Sequence, residues 1–446
     1  MIHEKPLVLF MHSGGFWKRD CFTLARDLGY YTICAEAEGM NLSDLQEIAD
    51  YAFPVRLYDR DNLLSDVAAG LEKHGIERPD GVVTFFELAV EQTACIASHY
   101  GLTAIQGDAA HRARNKFDMR TAIADPFFSD GYERVRDEQQ VHDFFERQDG
   151  QPIVLKPCDL GASAGVIRIK SIDEIAGAWA EANDALRKFV GLYGYSTTNG
   201  LMVERMMPMG SREYNVDLFI SNGRPYVIGI AEKQGLYDGP SFRENAYVFP
   251  PESLSDDEHR ALELESRRAV AAVGVTSGAI HLEAKMITES DGRRPCVIEL
   301  GARCAGDLEM PALKRHRGGA GDLRALVLKQ AVDRLTADDL EFARACDEGR
   351  APSIPVSICV KYADYIGTLT ADIGIPDAVT KSCCVVDSLF EAEKGHHIEL
   401  PENDYLGAVI CEGQTPTDAL RNVNAAITQI PVMMKVAERE EPALTS

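Results

Sequence analysis

The sequence predicts a mixed chain, α/β at its N-terminal end and α+β beyond it, and three observations carry that prediction. Strand-like and helix-like segments alternate over roughly residues 1–110, the pattern of a parallel sheet wound with helices. From about residue 125, short β runs follow one another across tight turns, among them Asn222-Gly223, a strong hairpin signal. After about residue 350 a smaller set of strands and helices closes the chain.

Taken in order, "PLVLFM" reads as a buried strand, followed by the loop "HSGGFWKRD" and a helix "CFTLARDLG" that stops at Gly29. "YYTICAE" is a second strand, "DNLLSDVAAGLEKHG" a helix and "DGVVTF" a third strand. "ELAVEQTACIASHYG" is a further helix ending at Gly101. The Gly14-Gly15 loop invites a dinucleotide reading, but the full G-x-G-x-x-G pattern is absent, so it does not identify an NAD site. "QPIVLKP", "AGVIRIK", "LMVERMM", "EYNVDLFI" and "RPYVIGIAEK" are strands of a predominantly antiparallel region, with "SIDEIAGAWAEANDALRKFVG" as a helix among them. A second hairpin runs "AIHLEAKMIT–ESDGRR–PCVIEL". A helical stretch near 321–347 precedes a small α+β unit from "IPVSICVKY" to "DALRNVNAAITQI", and the terminal "AEREEPALTS" reads as frayed.

With 446 residues, 45% of them hydrophobic, the chain can bury a large core and divides into several domains. A formal net charge of −24 is the opposite of what binding to nucleic-acid phosphates requires. Eleven cysteines occur without a C-x-x-C pair, which suits buried thiols in a reducing compartment better than a zinc site or disulfide framework. The N-terminus lacks the features of a cleaved signal, and no window approaches the roughly 20 apolar residues of a membrane span. A soluble, cytoplasmic protein is expected.

The hairpin around Asp291-Gly292 holds two acids inside apolar strands. Alternate residues share a face, so His281, Glu283 and Lys285 lie together, as do Val297, Glu299, Gly301 and Arg303. A turn at Asp291-Gly292 with one extra residue sets Glu283 opposite Glu299. At a separation of about 4.5–5.5 Å between Cβ atoms, two ionised carboxylates repel unless a cation joins them. Either a hard divalent ion, which takes oxygen ligands, or neutralisation by Lys285 or Arg303 answers that problem. A second feature is "VLKPCDLGASAGVIRI", in which Lys156 ends a strand and a small-residue loop, Asp159 to Gly165, precedes the next. Such loops bring backbone N–H groups close to an anion, although this one is no Walker loop and most such loops are plain hairpins. Lys116 in "ARNKFDMR" reads, by itself, as a solvated helix residue. Glu204 and Glu213, at strand edges, either protect those edges or receive a nucleotide's hydroxyls or exocyclic amine.

The order of these motifs, "NKFDMR", "VLKPCDLGASAGV", "VERMMPMGSREYNVD", "HLEAK" and "VIELGARCAGD", resembles that of the ATP-grasp enzymes over roughly residues 80–310. "FRENAYVFP" and "ELGARCAGD" carry a narrower likeness to the L-amino acid ligases. The resemblance implies a Rossmann-like N-terminal domain over 1–115 and an ATP-grasp lid with a glycine-rich loop over 116–203. It also implies a catalytic subdomain over 204–345, completing a two-lobed nucleotide-binding region, and a small C-terminal α+β domain over 346–446. Lys116 and Lys156 would hold ATP phosphates, Lys156 acting in catalysis as well, with Ser163 and Gly165 in the covering loop. Glu204 and Met207 would line the adenine pocket, and Glu213 would meet the ribose. Glu283 and Glu299 would ligate Mg²⁺ or Mn²⁺, and Arg303 would steady an acyl phosphate. Much of that superfamily has an asparagine two residues after the second metal glutamate. This chain has Gly301 there, and Glu244 in "FRENAY" is the implied replacement, its alternative being a solvated loop acid.

The implied activity is ATP-dependent amide formation between a carboxylate and an amine, amino acids above all, with release of ADP and phosphate. The rivals are a biotin carboxylase, although "GIAEKQGLYDGPSFRENAY" lacks the arginine- and glutamine-rich segment expected there, and a non-catalytic ATP-binding regulator. Neither a nucleic-acid nor a membrane partner is expected, and a homodimer is the commonest oligomeric state for such a chain.

Overall fold

The computed structural model describes residues 5–15, 18–161, 163–193, 199–235, 246–290, 292–306, 308–363, 365–398 and 405–436, the side chains of residues 189 and 191–193 apart. The alternating N-terminal segments form a parallel sheet of β1 (Leu7–Met11), β2 (Tyr31–Ala37), β3 (Tyr51–Val55) and β4 (Gly81–Val83), in the order β3-β2-β1-β4. Every residue of β1 is buried, as strands covered on both faces must be. Strand β3 is one the local pattern hid: "YAFPV" carries Pro54, which removes a ladder donor and is tolerated because β3 lies at the sheet edge.

The next region is antiparallel, as predicted. β5 (Tyr132–Val135), β6 (Ile153–Pro157), β7 (Ile167–Ile169) and β8 (Leu201–Arg205) are ordered β5-β8-β6-β7. Helices Glu138–Arg147 and Ile175–Tyr193 belong to the same lobe, and Phe144, Ile175 and Ala182 pack with Leu155 and Val203.

The largest sheet has eight strands in the order β13-β12-β9-β10-β11-β14-β18-β16. They are β9 (Glu213–Ser221), β10 (Arg224–Gln234), β11 (Ala246–Phe249), β12 (Gly278–Glu289), β13 (Gly292–Gly301), β14 (Val356–Tyr362), β16 (Val385–Phe390) and β18 (Tyr405–Glu412). The Asn222-Gly223 signal holds: Ser221 pairs with Arg224, and both turn residues take positive φ, 51° and 76°, as a type I′ hairpin demands. β14 joins β11, so the residue 345/346 boundary expected from the sequence falls between two parts of one continuous sheet. A three-stranded sheet of β15 (Gly367–Leu369), β17 (His397–Ile398) and β19 (Met434–Val436) lies beside it in sequence.

Alternation along β9 and β12 sorts the site. Tyr214, Val216, Leu218 and Ile220 of β9 join Ile280, Leu282, Ala284 and Met286 of β12 in one apolar layer. That layer packs under helix Asp256–Val273, whose N-terminus is fixed by a Ser255–Glu258 capping box. The intervening residues carry the polar groups to the other face. Because side chains alternate strictly, slipping the register by one residue would drive those charges into the helix-covered core. Among the described residues no helix is long and apolar enough to cross a membrane.

Candidate active site

On the polar face His281 lies opposite Asp217, Glu283 opposite Asn215, and Lys285 opposite Glu213. On the other flank of β12, Glu283 faces Glu299 and His281 faces Gly301. The anticipated acidic pair is therefore formed, but by a different device. Glu289 pairs with Gly292, and the extra residue is a bulge between Glu283 and Ala284 on the β12 side and Val297 and Glu299 on the β13 side, not an addition to the turn. Continuing the turn's register without it would pair Glu299 with Leu282 and aim the carboxylate at the apolar layer. The bulge re-aims it onto the polar face.

The two acids lie within reach of different lysines. Lys116 Nζ is 3.2 Å from Glu299 and donates to the Leu160 carbonyl at 2.6 Å. Lys233 Nζ is 3.1 Å from Glu283 and 2.6 Å from Glu213, with Lys285 3.5 Å from the other Glu213 oxygen. Burial works to raise the Glu299 carboxyl, yet Lys116 and Lys156 outweigh it and bring it down to about 2. Lys116 is the first residue of helix Lys116–Ile123, whose Asn115 cap accepts from the backbone of Phe117 and Asp118. Far from being solvated, as its isolated motif suggested, Lys116 is buried.

From the four-stranded lobe, Lys156 on β6 reaches Glu204 on β8 at 2.6 Å. The second Glu204 oxygen accepts from Arg120 Nε and Nη2 at 3.1 and 2.9 Å. Arg120 is completely buried and also donates to the Val297 and Ile298 carbonyls at the bulge, tying the lysine lobe to the glutamate hairpin. Burial pushes the Glu204 carboxyl up, but Arg120 and Lys156 together hold it below its usual range. The same burial lowers the Lys156 ammonium, against the pull of Glu204.

At the other end Arg303 Nε lies 2.8 Å from Glu87, which also accepts from Arg114 at 2.8 Å. A Cβ built on Gly301 would stand 2.8 Å from the Glu87 carboxylate and 3.7 Å from Arg303 Cζ. The space in front of residue 301 is thus filled by an acid from the N-terminal unit. Burial raises the Glu87 carboxyl, but Arg303 and Arg114 hold it below its usual range.

Most of these groups, though not Arg120, Arg114 or Glu87, line one cavity of about 780 Å³. Lys116, Lys156, Ser163 and Glu204 stand on its lysine side, with Met207 just after β8. Glu213, Glu283, Glu299 and Arg303 stand on its sheet side. Ser163, at φ 54°, reaches it from the small-residue loop, whereas Gly165 is a packing residue whose absent Cβ makes room for Ala185 and Pro157. Glu244 lies outside the described residues. Sequence reasoning missed Arg120, Arg114, Glu87, Asp217 and Glu309. Arg120 had a signal, four residues after Lys116 in "NKFDMR" and so on the same helical face. The others are assembled by long-range packing that leaves no local pattern.

Residues 150–311 match the profile of a family described as "ATP-grasp domain". The chain therefore contains an ATP-grasp domain. Beyond that domain, alanine–anticapsin ligase of Bacillus subtilis is 24% identical over 389 residues, covering 80% of this chain and 78% of that protein. The solved L-amino acid ligase from Bacillus licheniformis superposes with a TM-score of 0.78 at 20% identity over 97% of this chain and 99% of its own. Biotin carboxylase from Campylobacter jejuni shares the ATP-grasp fold at a TM-score of 0.68 and 13% identity, over 97% and 92% of the two chains.

Proposed function

We propose that this ATP-grasp protein is an ATP-dependent ligase that joins the carboxylate of an amino acid or related acid to an amine through an acyl phosphate, releasing ADP and phosphate. The observation that carries this reading is the facing pair Glu283 and Glu299, sharing one cavity with Lys116, Lys156 and Arg303. Two relatives named as ligases of amino acids agree with it.

The residues fit a hard cation. Two facing carboxylates are a donor set for Mg²⁺ or Mn²⁺, and both already attract cationic lysines. Glu283 and Glu299 would hold the ion, with Glu244 the proposed third ligand. When bound, the ion neutralises charge on the β- and γ-phosphates. Lys116 and Lys156 bind phosphate oxygens from the lysine side, and Ser163 covers them with backbone N–H groups of its loop. Met207 packs at the adenine, Glu213 accepts a ribose hydroxyl, and Glu204 acts through Lys156 by fixing where its ammonium points. Phosphoryl transfer needs positioning and neutralisation rather than a covalent catalyst, which is what this set supplies. Arg303 donates to the acyl oxygen as negative charge develops there when the amine attacks. We assign residues 1–115, 116–203, 204–345 and 346–446 as the pre-ATP-grasp, lid, catalytic and C-terminal units.

Screening amino acids in pairs for ADP release tests the reading. Release that requires both a carboxylic acid and an amine is expected. Release dependent on bicarbonate and biotin, or none with any pair, would overturn it.

A further inference from the structure

Past Glu283 and Arg303 the polar face continues into a cluster that the proposed chemistry leaves unused. Asp217 on β9 is fully buried, and one of its oxygens accepts from His281 Nδ1 at 3.0 Å. Its other oxygen is buried with no hydrogen-bond partner. Asn215, two residues earlier on the same face, donates to both oxygens of Glu309 at 3.1 Å, while its own side-chain oxygen is buried and also without a partner. Glu309 opens helix Glu309–His316 and lines the cavity with His281. One ligand atom each from Asp217, His281 and Glu309 all lie within 4.8 Å of one another.

Two buried, unpartnered acceptors beside the Glu309 carboxylate call for a donor. A primary ammonium brings three N–H groups, which matches the oxygens of Asp217, Asn215 and Glu309. A metal ion suits the cluster less well. The 3.0 Å contact to Asp217 occupies His281 Nδ1, and its Nε2 lies 3.8 Å from Glu283, towards the neighbouring acid. We infer that Asn215, Asp217 and Glu309 form a subsite for a protonated amine on a substrate, an inference that rests on the ligase reading above. That amine is not the nucleophile. An attacking amine must shed its proton, and buried carboxylates hold an amine in its charged form. The subsite therefore reads the acid that is activated: it anchors a cationic group of the acyl donor while silencing that amine as a competing nucleophile. Gly301, opposite His281, places no side chain between the two sites.

The test is calorimetric binding to the full chain loaded with Mg²⁺ and a non-hydrolysable ATP analogue. The probes are the twenty common amino acids, each beside its deaminated acid, with L-lysine also set against L-norleucine. At least tenfold weaker binding of the deaminated acids assigns the α-ammonium, and a preference confined to lysine over norleucine assigns a side-chain amine. Glu309→Gln should erase the preference, with Asp217→Asn, checked for folding by thermal melting, doing the same. The inference is overturned if no amino acid binds, if binding ignores the amine, if the preference survives Glu309→Gln, or if metal analysis finds an ion held by Asp217, His281 and Glu309. ADP release that proceeds equally with deaminated acids would sink this inference alone. Amine-selective binding without ADP release for any pair would sink the ligase reading alone.

Discussion

Glu204 and Glu299 face the same cavity from opposite lobes, and the contrast between them separates a saturated acid from one left open. Glu204 is 5% exposed and has both oxygens engaged, one by Lys156 and the other by two nitrogens of Arg120. The Glu299 side chain is 34% exposed, has a single lysine within ion-pair range among the described residues, and faces a second acid across the hairpin. A buried, saturated carboxylate holds its surroundings in place. A half-saturated one, beside another acid and open to a cavity, remains available to a cation. The ranking of acids here follows from the number and rigidity of their cations, not from their position in a motif.

Substitutions can break the comparison. Glu299→Gln should abolish Mg²⁺-dependent ADP release while shifting Tm by less than about 3 °C, since a cavity-facing group away from the core contributes little stability. Undiminished turnover would remove the metal role. Glu204→Ala should do the reverse in kind, costing about 3–5 kcal/mol in denaturant unfolding because Arg120 is left buried and uncompensated. A cost below about 1 kcal/mol would show that the pair is not structural. Arg303→Ala should reduce turnover by on the order of 10²-fold, the scale of losing one oxyanion donor, and a loss of only a few-fold would assign it to ion pairing with Glu87. Gly301→Asn, which restores the residue common in the superfamily, should lower turnover by roughly tenfold rather than raise it, because the new side chain displaces Glu87 from Arg303. The smallest effect concerns pH. Glu204 has a folded-state pKa below its ordinary value of 4.5, so its stabilisation is complete above that value and fades as pH falls through the lower one. Melting curves should therefore converge for wild type and Glu204→Gln on acidification below about pH 4.5.

Much of this was legible in the chain. Period-two alternation in "HLEAK" set Glu283 on the polar face with His281 and Lys285, and charge repulsion against Glu299 required a cation there. The face expected to join Val297 to Glu299 is broken, because the bulge leaves Val297 in the apolar layer. Asn222-Gly223 and the β/α alternation named their own structures. The location of the bulge was hidden, because a turn with an added residue and a bulge after an ordinary turn give the same 283–299 pairing. Lys116 looked solvated because helical spacing reports only its own helix, whereas Leu160 and Glu299 bury it from elsewhere in the chain. Glu87 and Asp217 were invisible for a related reason: one is an acid after a strand and the other lies within an apolar run, and only tertiary packing gives either its partner. The joining of β11 to β14 across more than a hundred residues likewise has no local signature.

The most direct test of the central claim is a crystal structure with Mg²⁺ and a non-hydrolysable ATP analogue. The account predicts an ion with Glu283 and Glu299 oxygens at about 2.0–2.1 Å and Lys116 moved from Glu299 onto a phosphate. A nucleotide bound elsewhere, with Glu299 still paired to Lys116 and no ion between the two acids, would contradict it.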